Sequence, residues 1–93
     1  MSIEARHNAA ASRYELFDGS ELVGIADYEL AGTTAVFPHT EIVPARRGQG
    51  LGEQLVRFAL DVLRRAGNTV VATCWYVAEF IDAHPEYVDL TRT

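Results

Sequence analysis

The chain has no lysine, and its 93 residues include one cysteine, one methionine, one tryptophan and three prolines. A lone Cys74 excludes an internal disulfide framework, and one thiol with three scattered histidines makes no zinc-binding spacing, so no metal is expected. With no disulfide to form, a reducing cytoplasm is the expected compartment. No run approaches the ~20 apolar residues of a membrane span. The opening "MSIEARHNAAAS" also lacks the apolar core of a secretion signal, so no membrane partner is expected. Positive charge is scarce too: the net charge is −5 and the pI about 5.0. Duplex binding draws most of its affinity from phosphate neutralisation, so a general nucleic-acid binder is excluded and any polyanion site must be local.

What is present is 48% apolar content in a chain of one-domain length. Residues 1–12 read as a partly ordered tail and 13–93 as a single domain. From Arg13 the pattern has period two. "RYELF" leads through the turn signal Asp18-Gly19-Ser20 into "ELVGIADYEL", where Leu22, Ala26, Tyr28 and Leu30 share one face. That pattern predicts a hairpin. "TTAVFPHTEIV" supplies a third strand, with a bulge or an edge position at Pro38, which has no N–H for a ladder. Leu51, Leu55, Phe58, Ala59, Val62, Leu63 and Ala66 then form the stripe of an amphipathic helix, which Gly67 ends. "TVVATCWYV" is apolar without alternation and reads as a strand covered on both faces, parallel to a neighbour. Strand, helix and strand make a βαβ unit, and Val77, Phe80, Ile81 and His84 mark a short helix closed by Pro85. The fold class is α+β, with antiparallel hairpin strands leading into the βαβ unit and a short C-terminal helix.

The junction "EIVPARRGQGLGEQL" carries the clearest chemistry. A strand that feeds through glycines into a helix presents unpaired N–H groups with the positive end of the helix dipole behind them, which is an anion site. Gly48, Gly50 and Gly52 let a phosphate approach the main chain, and Arg46 and Arg47 add charge-assisted donors. Two other phosphate loops fail on residues. The P-loop needs a lysine that this chain lacks, and the dinucleotide fingerprint needs G-x-G-x-x-G where this spacing is G-x-G-x-G.

"RRGQGLGEQLV" resembles the Q/R-x-x-G-x-G/A motif of the GNAT N-acetyltransferase superfamily, carried here by Arg47, Gly50 and Gly52. With "CWYV" and "HPEY" after it, the stretch from Arg13 to Leu90 resembles a small YjdJ-type, single-domain subgroup of that superfamily. The resemblance implies a minimal GNAT-like fold that binds acetyl-coenzyme A as cosubstrate and acetylates an amine of a small molecule, peptide or protein. The implied cofactor-binding residues are Val43, Arg46, Arg47, Gly48, Gln49, Gly50, Leu51 and Gly52, with Tyr87 and Trp75 as aromatics that flank the pantetheine or adenine or else pack. The chain is too short for the N-terminal helices that shape the acceptor pocket in larger members. A coenzyme A or acyl-CoA binding module without turnover is therefore the alternative. A monomer or weak homodimer is expected.

Acetyl transfer to an amine needs a neutral nucleophile, a polarised thioester carbonyl and a proton for the departing thiolate. Glu41 and His39 share a strand face just before the loop, and either can take the proton, directly or through water. The resemblance favours Glu41. Tyr76 is the candidate donor to the thiolate. Cys74 is either a covalent acetyl acceptor or a small buried apolar side chain.

Overall fold

Period-two alternation does fold as strands. In the computed structural model, which describes residues 2–91, they are β1 (Ile3–Asn8), β2 (Arg13–Asp18), β3 (Glu21–Ala31), β4 (Thr34–Ile42) and β5 (Thr69–Ala72). They form one sheet in sequence order, antiparallel from β1 to β4, with β5 parallel to β4. Helix α1 (Leu51–Ala66) makes the crossover, and helix α2 (Trp75–Ala83) and a 3₁₀ segment (Pro85–Thr91) follow β5. The expected mixed α+β architecture is present.

Three local readings need correction. The segment read as a tail is strand β1, paired from Ile3↔Asp18 to Asn8↔Arg13, followed by a 3₁₀ turn at Ala9–Ala11. Its apolar side is only Ile3 and Ala5, too small to register as a pattern, yet both pack on the core. Met1 and residues 92–93, which the tail and domain readings also took in, lie outside the described residues. Next, Leu22 and Leu30 are exposed, whereas Val23 is fully buried. The register runs Leu16↔Gly24 and then Phe17↔Leu22, so Val23 is the extra residue of a bulge that turns the alternation over. Finally, the apolar run after Gly67 is a strand of four residues and then a helix. Val70 is buried but Val71 is 42% exposed, so β5 is covered on one face only.

That asymmetry holds for the whole sheet. Tyr14, Leu16, Ala26, Tyr28, Ala35, Phe37 and Val70 are buried against α1, which contributes Leu51, Leu55, Val56, Ala59, Leu60 and Leu63. α2 and the 3₁₀ segment pack alongside α1, tied to it by His84–Glu53, by Tyr87–Asp61 and by Arg64–Asp89. The opposite sheet face carries Arg6, Arg13, Glu15, Asp27, His39, Glu41 and Val71, none of them fully buried. Gly24 sets how closely α1 and β4 approach β3: a Cβ there would lie 2.5 Å from Ile42 Cδ1 and 3.4 Å from Leu55 Cδ2.

Candidate functional site

The site begins where two strands part. β4 and β5 are in register from Thr34↔Thr69 to Phe37↔Ala72, and there β5 stops. On the other side of β4, the pairing with β3 runs Glu29↔Val36 and then Asp27↔His39, so β4 carries one extra residue at Phe37-Pro38. This is the bulge expected at Pro38. The Phe37 carbonyl accepts the Cys74 N–H at 2.8 Å and the Thr73 hydroxyl at 3.0 Å, which turns the chain away from β4 and into α2. β4 continues to Ile42 paired with β3 but no longer with β5. Hydrogen-bonding direction alternates along an antiparallel strand. Because Val43 N–H bonds Val23 across β3, Glu41 and His39 point their backbone groups at β3, and Thr40 and Ile42 point theirs into the gap. The result is a cleft of about 830 Å³ bounded by this free strand edge, the Arg47–Gly52 turn and the start of α2.

The glycine turn has the geometry of an anion cradle. Gly50 is the N-cap of α1 in the left-handed conformation (φ 75°), and a Cβ there would meet nothing within 4 Å, so the space over the first-turn N–H groups is open. Gly52 lines the cleft and has a packing role as well. A Cβ there would lie 2.5 Å from the Tyr76 hydroxyl, so this glycine lets α2 close against α1. The two arginines also divide. Arg46 is drawn back to the β2–β3 turn by Asp18 at 2.8 Å and Glu21 at 2.9 Å, and so anchors the loop. Arg47 is in no ion pair among the described residues. Its Nε donates to the Ile42 carbonyl at 3.2 Å, and its side chain lines the cleft. The Asp18 carboxyl is held below the usual carboxylate range, first by the Ser2 N–H and then by Arg46.

The candidate chemical groups converge. His39, Glu41, Cys74 and Tyr76 all line the cleft. Glu41 is 54% exposed, with its Oε2 3.3 Å from His39 Nε2. The Cys74 thiol is half-buried at the N-cap of α2. Burial, and then the carboxylates of Glu53 and Glu79, push the Tyr76 hydroxyl above its ordinary value, so it keeps its proton. Three readings place residues elsewhere. Tyr87 is buried under α1, its hydroxyl donating to Asp61 at 2.7 Å and accepting from Arg57 at 3.3 Å. Val43 packs at the core edge and Gln49 is exposed, and neither lines the cleft. Trp75, expected beside Tyr87 or as a wall of the pocket, does line the cleft, although it opens helix α2 and does not end a strand. Thr40, on the strand face opposite His39 and Glu41, reads from the sequence as packing, yet its hydroxyl oxygen is buried without a hydrogen-bond partner among the described residues.

Residues 13–90 match the model of the GCN5-related N-acetyl-transferase family. The chain belongs to that family. Among curated proteins it is similar to Protein NATD1 of Bos taurus, 36% identical over 59 residues, which are 62% of this chain and 52% of that protein. The match thus spans about half the length of that relative. Among solved structures, a GCN5-like putative N-acetyltransferase from Staphylococcus aureus superposes with a TM-score of 0.73 at 17% identity, over 94% of this chain and 85% of that one. The PaiA N-acetyltransferase from Thermoplasma acidophilum, solved in complex with coenzyme A, superposes at 0.59 with 14% identity, over 80% of this chain and 48% of that one. These likenesses show the GCN5-related fold. The free edge of β4 offers backbone donors and acceptors to the cleft, and the open turn at Gly48 and Gly50 offers N–H groups to an anion.

Because Arg46 holds the loop through carboxylates of another turn, Arg46→Ala is expected to weaken binding of a pyrophosphate-bearing ligand at the glycine turn several-fold by loosening the loop. Titration calorimetry reads this directly. A folded Asp18 pKa below the unfolded value of about 3.9 means that the anchor is fully formed above that pH and is lost as pH falls. Asp18→Asn removes that acid-side dependence.

Proposed function

We propose that the chain is an acetyl-coenzyme A dependent N-acetyltransferase of the small, single-domain kind, acting on an amine of a small molecule, peptide or protein. The observation that carries this reading is the convergence of a base, a protonated phenol and a free strand edge on one cleft that ends at a helix N-terminus. Arg47 and the first-turn N–H groups of α1 bind the pyrophosphate. The outward N–H and C=O of Thr40 and the outward N–H of Ile42 pair with the pantetheine amides as an added strand would, the Ile42 carbonyl being held by Arg47. Acetyl-coenzyme A supplies an activated acyl group.

The acceptor amine approaches from the open sheet face beside Glu41, which takes its proton through water. His39, in hydrogen bond with Glu41, orients the carboxylate. The amine nitrogen bonds to the carbonyl carbon, the C–S bond breaks, and the Tyr76 hydroxyl donates its proton to the departing thiolate. A panel of amines assayed by release of free thiol tests the proposal. Turnover of at least one amine, with no release in its absence, is expected, and binding without turnover of any amine would make the chain a coenzyme A module. Tyr76→Phe is expected to lower kcat about a hundredfold, the lower end of the range for loss of a general acid. The KM for acetyl-coenzyme A should change little, because the phenol proton matters after binding.

A further inference from the structure

Strand β1 closes one side of the sheet, and its outer edge faces away from β2. The hydrogen-bonding phase of that edge follows from two neighbours. Gly19 N–H bonds Ser2 across β1–β2, and Tyr28 N–H bonds Ser12 across β2–β3. Glu4, Arg6 and Asn8 therefore bond to β2, and Ile3, Ala5 and His7 direct their N–H and C=O groups outward. Glu4 and Arg6 lie on the open sheet face, with Arg6 Nε 2.8 Å from Glu4 Oε2 and the guanidinium 4.5 Å above the Phe17 ring.

We propose that this edge pairs with the same edge of a second copy, antiparallel and centred on Ala5. In that register Ile3, Ala5 and His7 of one chain meet His7, Ala5 and Ile3 of the other, so the outward groups match in phase and close about six hydrogen bonds. Glu4 then stands opposite Arg6 of the second copy, and Arg6 opposite its Glu4, in the close, non-hydrogen-bonded positions where opposite charges stabilise a pair. The in-strand Glu4–Arg6 contact already holds both side chains at this height on the open face, so the swap to intermolecular partners needs only side-chain rotation. A shift by one residue would set Glu4 against Ala5 or His7 and break the phase, so the charges and the backbone select one register. The contact is a six-residue edge, smaller than the ~1,200 Å² of a stable complex, so it makes a concentration-dependent dimer. The two clefts lie on the far sides of the resulting continuous sheet.

Sedimentation velocity over a concentration series tests the pairing. Wild type is expected to shift reversibly from monomer to dimer, less so at high salt. Glu4→Arg places like charges opposite each other at two symmetric positions and is expected to raise the dimer Kd about tenfold. The double variant Glu4→Arg with Arg6→Glu restores opposite charges and is expected to restore wild-type Kd to within about threefold. Ala5→Pro removes an outward N–H that the β1–β2 ladder does not use, and is expected to abolish the dimer. Tyrosine near-UV circular dichroism checks that each variant is folded. Wild type that stays monomeric throughout, Glu4→Arg with wild-type Kd, or a double variant no better than Glu4→Arg would each overturn the pairing.

Discussion

Coenzyme A is expected to raise the melting temperature by roughly 10–20 °C at a hundredfold excess over its Kd, and Gly50→Asp is expected to remove that shift. Saturation at this level stabilises the native state by about 2.7 kcal/mol, and a chain of this size moves about 4–8 °C per kcal/mol. NAD and ATP at the same concentration should shift it much less, since neither has a pantetheine arm to pair with the free edge of β4. Gly50 is where the substitution cuts deepest. Its left-handed φ of 75° costs a side chain on the order of 1 kcal/mol, and the carboxylate would stand in open space over the first-turn N–H groups of α1. The anion cradle would then hold its own anion. Circular dichroism separates loss of binding from loss of fold, and a folded Gly50→Asp protein with wild-type affinity would put the phosphates elsewhere.

The second large effect concerns the chemical step. Glu41→Gln keeps the shape and the hydrogen bond toward His39 but removes the base, and is expected to lower kcat by about a hundredfold to ten-thousandfold with coenzyme A affinity nearly unchanged. Cys74→Ala should cost little beyond packing, because the thiol is half-buried and the backbone N–H that anchors it to Phe37 survives the change. A covalent route predicts the reverse pattern: an inactive Cys74→Ala, and an acetyl adduct on the wild-type chain by intact mass spectrometry that is absent from the variant. If neither substitution lowers turnover, both residues are scaffold and positioning alone carries the reaction.

Much of this was legible from residues 13 to 67, because each element there repeats its own period long enough to be read. The sixteen residues of α1 bury a continuous face, and β3 keeps its period at Ala26 and Tyr28, losing it only where the bulge at Val23 turns the alternation over and at its exposed end. Strand β1 was not legible, since its inward residues are Ile3, Ala5 and His7 and its stability comes from pairing with β2. The end of β5 was hidden in an apolar run, because Val77, Phe80 and Ile81 enter the same core from a helix that Val70 enters from a strand. At the site, the glycines and Arg47 could be placed from their motif and Glu41 from its strand face. The role of Arg46 could not, because its partners Asp18 and Glu21 lie more than twenty positions away in sequence. Nor could the meeting of Tyr76 with Gly52, a contact between the starts of two helices.

Trp75 is the only tryptophan in the chain, and it stands 74% exposed at the mouth of the cleft. An indole already in water emits much as it does in the denatured chain, so intrinsic fluorescence will be nearly blind to unfolding. It will respond instead to whatever enters the cleft and quenches or dries the ring. Tyr14, by contrast, is wholly buried, stacked 4.4 Å from His7 and set edge-on to Phe58, and its chiral surroundings vanish when the sheet comes apart. Occupancy and folding therefore have separate optical reporters in the same molecule, the first read from emission and the second from tyrosine dichroism.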